Sequence, residues 1–356
     1  MSSFKIPSQA LLLSGLLTLV GFVNGAAGKV DKTLQIYWVD VEGGAATLIV
    51  TPEGESVLID TGLPGVRDPE RIHKAAKEAG LEKIDHLITS HFHLDHFGGA
   101  AELSALMPIR HVWDNGIPEI NPDKNRPNDR RFPRLIAPYR EMDVQTRHVI
   151  EPGDFIPLSQ TAHAPAFSIQ CLAAQQKILS HSGTGSADCD LAEDKEEDLS
   201  DNANSIVLVL KYGNFVFFNG GDLTWNVERR LVCPNNVVGD VDVYQVNHHG
   251  LDVSNNPVLV NNLAPTVSVM SNGTKKGCGA STFKTLTACP SIKAMYQIHK
   301  NLRDDSENNT SSHYIANESK NCEANLIRLT VSPDGATYTV SIPAKNHHRL
   351  FATKRR

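Results

Sequence analysis

Apolar residues recur along the chain in short runs that stop at small or polar residues, the pattern of a sheet-based α/β protein rather than of a helical bundle. The runs 34–41, 45–51 and 56–60 predict three strands, the first two separated by Glu42-Gly43-Gly44. The spacing over 68–79 predicts a helix with Asp68 as N-cap, Pro69 at the first helical position and Gly80 as its stop. A buried strand over 84–89, a helix over 102–106 and a strand over 109–113 follow. Further on, 205–212 and 215–219 read as a hairpin across Gly213-Asn214, and 241–246 reads as one more buried strand. Helical segments over 282–288 and 291–300 and a closing hairpin across Pro333-Asp334-Gly335 complete the pattern.

Three stretches interrupt the alternation. Residues 115–138, rich in Pro, Asn and Arg, read as an excursion that is either plain surface or the border of a site. Within 176–201 a Gly/Ser-rich segment precedes the charge run 193–198, which reads as a solvated insertion without chemistry. Residues 252–322 read as an accessory segment. No internal repeat divides the chain, so one domain is expected over 28–356.

Lys5, the apolar run Leu11 to Val23 and the small residues Gly25 to Gly28 predict a signal peptide over 1–27, and hence a secreted or periplasmic protein. The run is shorter than the ~20 residues a bilayer span requires. Six cysteines in an exported chain favour disulfides, with Cys171–Cys189 and Cys278–Cys289 as the local pairings. The net charge of −6 argues against a broad phosphate-gripping face and a stable nucleic-acid complex.

The chemistry concentrates in Ser90-His91-Phe92-His93-Leu94-Asp95-His96-Phe97-Gly98-Gly99, which places three imidazoles and a carboxylate within six residues directly after an apolar run. His and Asp are ligands that zinc, manganese or iron accept. His91 and His93 point to one side if the strand period persists, and Asp95 and His96 then reach a second metal from the turn. Asp222 follows a strand and two glycines, where a carboxylate can bridge two metals. His248 and His249 follow the strand over 241–246, and at least one of them is expected to be a ligand.

Taken in order, Asp40-Val41-Glu42-Gly43-Gly44-Ala45, Leu58-Ile59-Asp60-Thr61-Gly62, the His91 to His96 motif, Asn202-Ala203-Asn204-Ser205, Gly221-Asp222 and His248-His249-Gly250 with Ser254 beyond resemble the metallo-β-lactamase superfamily, in its ComEC-type branch. The resemblance covers most of the mature chain. It implies an αββα four-layer sandwich with the metals at one edge between the sheets. His91 and His93 would hold one metal, Asp95 and His96 the other, Asp222 would bridge them, and His248 or His249 would complete the second site.

The departure from classical metallo-β-lactamases is the remaining ligand of the first site, where this chain has Asn202 and its neighbours instead of a His. His148, His163 and His181 lie in that interval without a matching context. Asp60 would support the metal loop from behind, as metal-bound imidazoles require an acceptor for their other N–H. Two bound zinc ions, or manganese or iron, would supply hydroxide for hydrolysis, with Asp95 orienting it and Ser254, Lys275 and Lys276 contacting the substrate anion.

The leader predicts export, and the ComEC-type resemblance implies a hydrolase of phosphodiesters or nucleic-acid fragments. A lactone, ester or β-lactam hydrolase on the same fold, and a secreted metal-binding protein without turnover, are the alternatives.

Overall fold

The computed structural model describes residues 1–2, 32–126, 128–162, 164–180, 185, 189–190, 193–321 and 323–356. The expected leader, from residue 3 onward, lies outside the described residues, as do His163, His181 and Cys322.

The first half of the chain supplies β1 (Leu34–Trp38), β2 (Thr47–Val50), β3 (Ser56–Ile59), β4 (Ile84–Ile88), β5 (Ile109–Asp114) and β6 (Thr146–Val149). The second supplies β7 (Phe167–Ala174), β8 (Lys177–Ile178), β9 (Val207–Tyr212), β10 (Phe215–Asn219), β11 (Val243–Gln245), β12 (Val267–Met270), β13 (Ala294–His299) and β14 (Ile315–Asn317). The chain ends in β15 (Ile327–Val331), β16 (Thr337–Ile342) and β17 (His347–Ala352). The helices are α1 (Arg67–Glu78), α2 (Leu94–Phe97), α3 (Ala100–Leu106), α4 (Phe132–Arg140), α5 (Trp225–Arg230), α6 (Pro257–Leu263) and α7 (Ala280–Ala288).

Among the described residues the strands form two sheets, in the orders β17-β16-β15-β1-β2-β3-β4-β5-β6 and β14-β13-β12-β11-β10-β9-β7-β8. Alternation decides the layering. Leu34, Ile36 and Trp38 of β1 face Phe215, Phe217 and Ile169 of the other sheet in one inter-sheet core, with Trp38 set edge-on to Phe217 at 5.8 Å. The opposite residues, such as Leu48, Leu58, Leu87 and Val112, pack beneath α1, α3 and α4. Val209, Phe218, Tyr244 and Val246 pack beneath α5, α6 and α7. The result is the expected four-layer αββα sandwich.

Four sequence expectations are corrected. Residues 294–299 form a strand, not part of a helix, because parallel pairing on both sides with β12 and β14 outweighs local spacing. Asp68 lies inside α1 rather than capping it; its carboxylate accepts the Leu63 N–H at 2.8 Å and pairs with Arg67. The segment 252–322 supplies β12, β13 and β14 to the second sheet. Cys189 pairs with Cys233, tying the insertion to the turn after α5, while Cys171, Cys278 and Cys289 are buried free thiols. The helix α7 separates Cys278 from Cys289 by a span of about 13 Å, too far for a bridge. Among the described residues no helix is long and apolar enough to cross a membrane.

One buried carboxylate holds the loop that carries the last histidines. Glu228 on α5 is fully buried and accepts from the Asn247 side chain at 2.7 Å and from the backbone N–H groups of Asn255 and Asn256 at 2.8 and 2.7 Å. Burial pushes its carboxyl up to about 7 against those three donors. A raised value means that the stability contributed is fully present below the ordinary glutamate range and is lost as pH rises through about 7. Thermal melts from pH 5 to 8.5 should therefore show the wild type losing stability relative to Glu228→Gln by up to roughly 3 kcal/mol; parallel profiles would contradict this.

Candidate metal centre

The cluster sits where parallel strands end. Asp60 follows β3, and His91 to His96 follow its parallel neighbour β4. Asp222 follows β10, and His248 and His249 follow its parallel neighbour β11 in the other sheet. Strand ends on both sheets thus present side chains into one crevice, anchored by rigid backbone. The two sheets are stitched there by the Ile206 N–H donating to the Ser90 carbonyl at 2.9 Å, and within the second sheet the His248 N–H donates to the Gly221 carbonyl at 3.0 Å.

The local backbone is under constraint. His248 and His249 both adopt left-handed conformations, with φ of 53° and 55°, a cost of about 1–3 kcal/mol each that the surrounding contacts must offset. Asp60 has φ of 63° and is held by its N–H bond to the Ile88 carbonyl at 2.9 Å. Gly277 must lack a side chain, since a Cβ there would lie 1.9 Å from the His249 carbonyl oxygen.

Potential ligand atoms of Asp95, His96, Asp222 and His249 lie within 4.8 Å of one another. His96 Nε2 is 3.1 Å from Asp222 Oδ2 and 3.5 Å from Asp95 Oδ2. His249 Nε2 is 3.2 Å from that Asp222 oxygen and 3.3 Å from Asp95 Oδ2. Beside this group His91 Nε2 faces His93 Nδ1 at 3.0 Å.

Hydrogen-bond accounting fixes what these nitrogens are. His96 Nδ1 faces Asp60 Oδ2 at 2.8 Å and His249 Nδ1 faces the Ser271 carbonyl at 2.9 Å, so each Nδ1 carries the proton. Their Nε2 atoms, 3.2 Å apart, then present lone pairs to each other. The Ser90 hydroxyl donates to Asp60 Oδ2 at 2.8 Å and so accepts from His91 Nδ1 at 3.1 Å. His93 Nε2 donates to Asp123 Oδ1 at 2.9 Å. Two pairs of bare imidazole nitrogens thus face one another beside two carboxylates. Only a cation or a captured proton relieves that arrangement, and the donor set of imidazole and carboxylate fits zinc, manganese or iron.

The electrostatics agree. Burial alone would push Asp95 and Asp222 up, but the histidines, and Lys276 beside Asp95, hold both well below the usual carboxylate range. Burial opposes charge on His96 too, yet Asp222, Asp60 and Asp95 outweigh it and raise its imidazole well above the ordinary value. His91 goes the other way: full burial and the neighbouring His96 and His93 push it well down.

The remaining sequence candidates fall into place unevenly. His248 Nε2 is 3.5 Å from Asp222 Oδ2 and 3.3 Å from the Asn202 amide nitrogen, and its Nδ1 meets Ser254 Oγ at 3.1 Å. Of the two consecutive histidines, His249 joins the four-residue cluster and His248 flanks it. Asn202 is buried, and its Oδ1 has no partner among the described residues. Lys276 Nζ pairs with Asp95 Oδ2. Lys275 is exposed, and only its backbone carbonyl enters a bond, accepting from Arg303 at 2.9 Å. His148 stacks on Trp113 in the edge strand β6, with ring centroids 4.1 Å apart.

Sequence reasoning missed Asp123, Ser90 and the Ser271 carbonyl. A backbone carbonyl leaves no sequence signal, and a serine beside a ligand leaves a weak one. Asp123 was hidden in the excursion, which does border the site: a cleft of about 450 Å³ is lined by His93, Asp95, Asn121, Asp123, Arg126 and Asn202, among others. The charge run read as solvated insertion also lines a cleft, of about 660 Å³, reaching Asn202 from the other side with Trp225 and Lys195. There the Lys195 ammonium lies 3.4 Å from the centre of the Trp225 ring.

Residues 39–160 match the model of the metallo-β-lactamase superfamily. No curated protein sequence matches the chain.

Similar solved structures include the E377D mutant of the β-hydroxylase CmlA, 15% identical with a TM-score of 0.42, covering 75% of this chain and 52% of that one. The chain thus spans about half the length of that protein. Others are MEM-A1, a subclass B3 metallo-β-lactamase from a soil metagenome library (14% identity, TM-score 0.34, 74% and 75% covered), and a diphosphatase of the PhnP family (13% identity, TM-score 0.38, 74% and 94% covered).

Asp60 should prove indispensable to metal retention because it faces His96 Nδ1 while accepting from both the Ser90 N–H and hydroxyl. Asp60→Asn is expected to weaken metal affinity by roughly 10- to 100-fold, and His249→Ala to weaken it more than His248→Ala does. Metal content after dialysis against graded chelator checks both; equal loss in the two histidine variants would reverse their assignment.

Proposed function

We propose that the protein is an exported hydrolase of phosphodiesters or nucleic-acid fragments that works with two divalent cations. The observation that carries the reading is the two facing pairs of bare imidazole nitrogens, His91 with His93 and His96 with His249, the second pair beside Asp222. His91, His93 and Asp222 would hold one cation, and Asp95, His96, Asp222 and His249 the other. When bound, such a pair supplies a hydroxide at neutral pH and neutralises the charge that develops on a phosphoryl or carbonyl oxygen.

The chain's own groups do the positioning. Asp95 orients the nucleophile, and its Oδ2 is held by Lys276, whose ammonium brings positive charge to the mouth of the site. Arg126 adds a guanidinium to the adjoining cleft. These two cations favour an anionic substrate even though the net charge is −6. His248 Nε2 accepts from the Asn202 amide N–H at 3.3 Å, so its Nδ1 carries the proton toward the Ser254 hydroxyl at 3.1 Å. Burial lowers this imidazole to about 4 and so keeps it neutral. Ser254 fixes the ring from behind.

The ComEC-type assignment rests on Asn202 standing where other members of the superfamily have a His, and on the His248-His249-Gly250 sequence. Export rests on the apolar run over 11–23 and on the Cys189–Cys233 bridge, which oxidising compartments favour.

Turnover on bis-(p-nitrophenyl) phosphate, a lactone and nitrocefin, with zinc or manganese and with chelator, tests the reading. Chelator-sensitive cleavage of the diester alone is expected. Cleavage of a carbonyl substrate alone would move the assignment to lactone, ester or β-lactam hydrolysis, and bound metal with no turnover on any of the three substrates would leave a binding protein. Lys276→Ala should raise KM for the diester several-fold, about 1 kcal/mol of lost charge interaction, while the metal stays bound.

A further inference from the structure

The excursion over 115–138 reaches the cluster through one side chain. Asp123 is 6% exposed, and its Oδ1 accepts two hydrogen bonds, from His93 Nε2 at 2.9 Å and from the Asp201 backbone N–H at 2.9 Å. Asp201 in turn accepts from the Phe92 N–H at 2.6 Å and from the Asn204 side chain at 2.9 Å. One carboxylate therefore clasps three segments: the histidine motif, the excursion and the turn that carries Asn202.

The proton on His93 is what this clasp decides. A neutral imidazole has one N–H, and unless something outside the ring chooses, either nitrogen carries it. With the carboxylate at Nε2, the hydrogen stays there and Nδ1 is bare toward His91. His91, His96 and His249 are pinned by the Ser90 hydroxyl, Asp60 and the Ser271 carbonyl, all within or beside the strand ends already described. His93 alone of the four takes its acceptor from the excursion.

We infer that Asp123 is the positioning residue of the first metal site: it locks His93 in the tautomer that leaves Nδ1 free to bind the cation, and it ties occupancy of that site to the wall of the cleft. The inference rests on the metal-dependent reading above. It predicts an asymmetry between the two sites, because the ligands of the second, Asp95, His96 and His249, have no contact with Asp123.

Metal content by mass spectrometry across a chelator series, together with the visible spectrum of the cobalt-substituted protein, reads the two sites separately. Asp123→Ala is expected to weaken one class of site by roughly 10- to 100-fold while the other keeps its wild-type affinity. Should that variant fail to fold, Asp123→Asn keeps an acceptor for the Asp201 N–H without the charge, and a loss of about tenfold at the same class is expected. Wild-type affinity at both sites in a folded variant would overturn the inference, as would an equal weakening of both sites accompanied by a lower Tm. A wild-type protein that binds no metal would instead remove the functional reading itself.

Discussion

The interaction on which the rest depends is the fixing of each outer imidazole nitrogen by an acceptor. An unpinned histidine in a buried cluster can turn its N–H inward and hydrogen-bond a carboxylate, which relieves the local repulsion and removes a ligand. Here Asp60, the Ser90 hydroxyl, the Ser271 carbonyl and Asp123 close that route, and lone pairs converge on Asp95 and Asp222. The affinity of the crevice for a cation is therefore built at one remove from the ligands.

This demand explains the architecture around it. The acceptors come from different parts of the chain, and only the ends of parallel strands in two facing sheets bring them to one edge with little freedom. Backbone strain accumulates at the same place, in Asp60, His248 and His249. Glu228 offsets part of it from behind by binding Asn247, Asn255 and Asn256, which bracket the two histidines and Ser254. The wide inter-sheet core, from Leu34 to Phe351, gives these loops a frame that does not yield.

The insertions make the site particular. One supplies Asp123 and Arg126 on the His93 side, and the other supplies Lys195 against Trp225 on the Asn202 side. Asn202 lies between the two clefts, buried and with an unpartnered amide oxygen. The walls of both clefts are thus drawn from stretches whose composition resembles ordinary surface.

Much of this was legible in the chain. Alternating apolar runs predicted most strands of the first sheet but only β9, β10 and β11 of the second, and the crowding of His91, His93, Asp95 and His96 marked the chemistry, because ligands that are close in sequence are necessarily close in space. Asp222 and the His248-His249 pair were legible as polar residues at the ends of apolar runs. What the chain by itself could not decide depends on contacts across long separations. Residues 294–299 became a strand through its neighbours on both sides, Cys189 found Cys233, and His249 rather than His248 entered the four-residue cluster because two left-handed residues turn the chain between them. Asp123 met His93 for the same reason: a single hydrogen bond between an excursion and a strand end has no periodicity or spacing to announce it, and only the packed tertiary structure brings its two partners within reach.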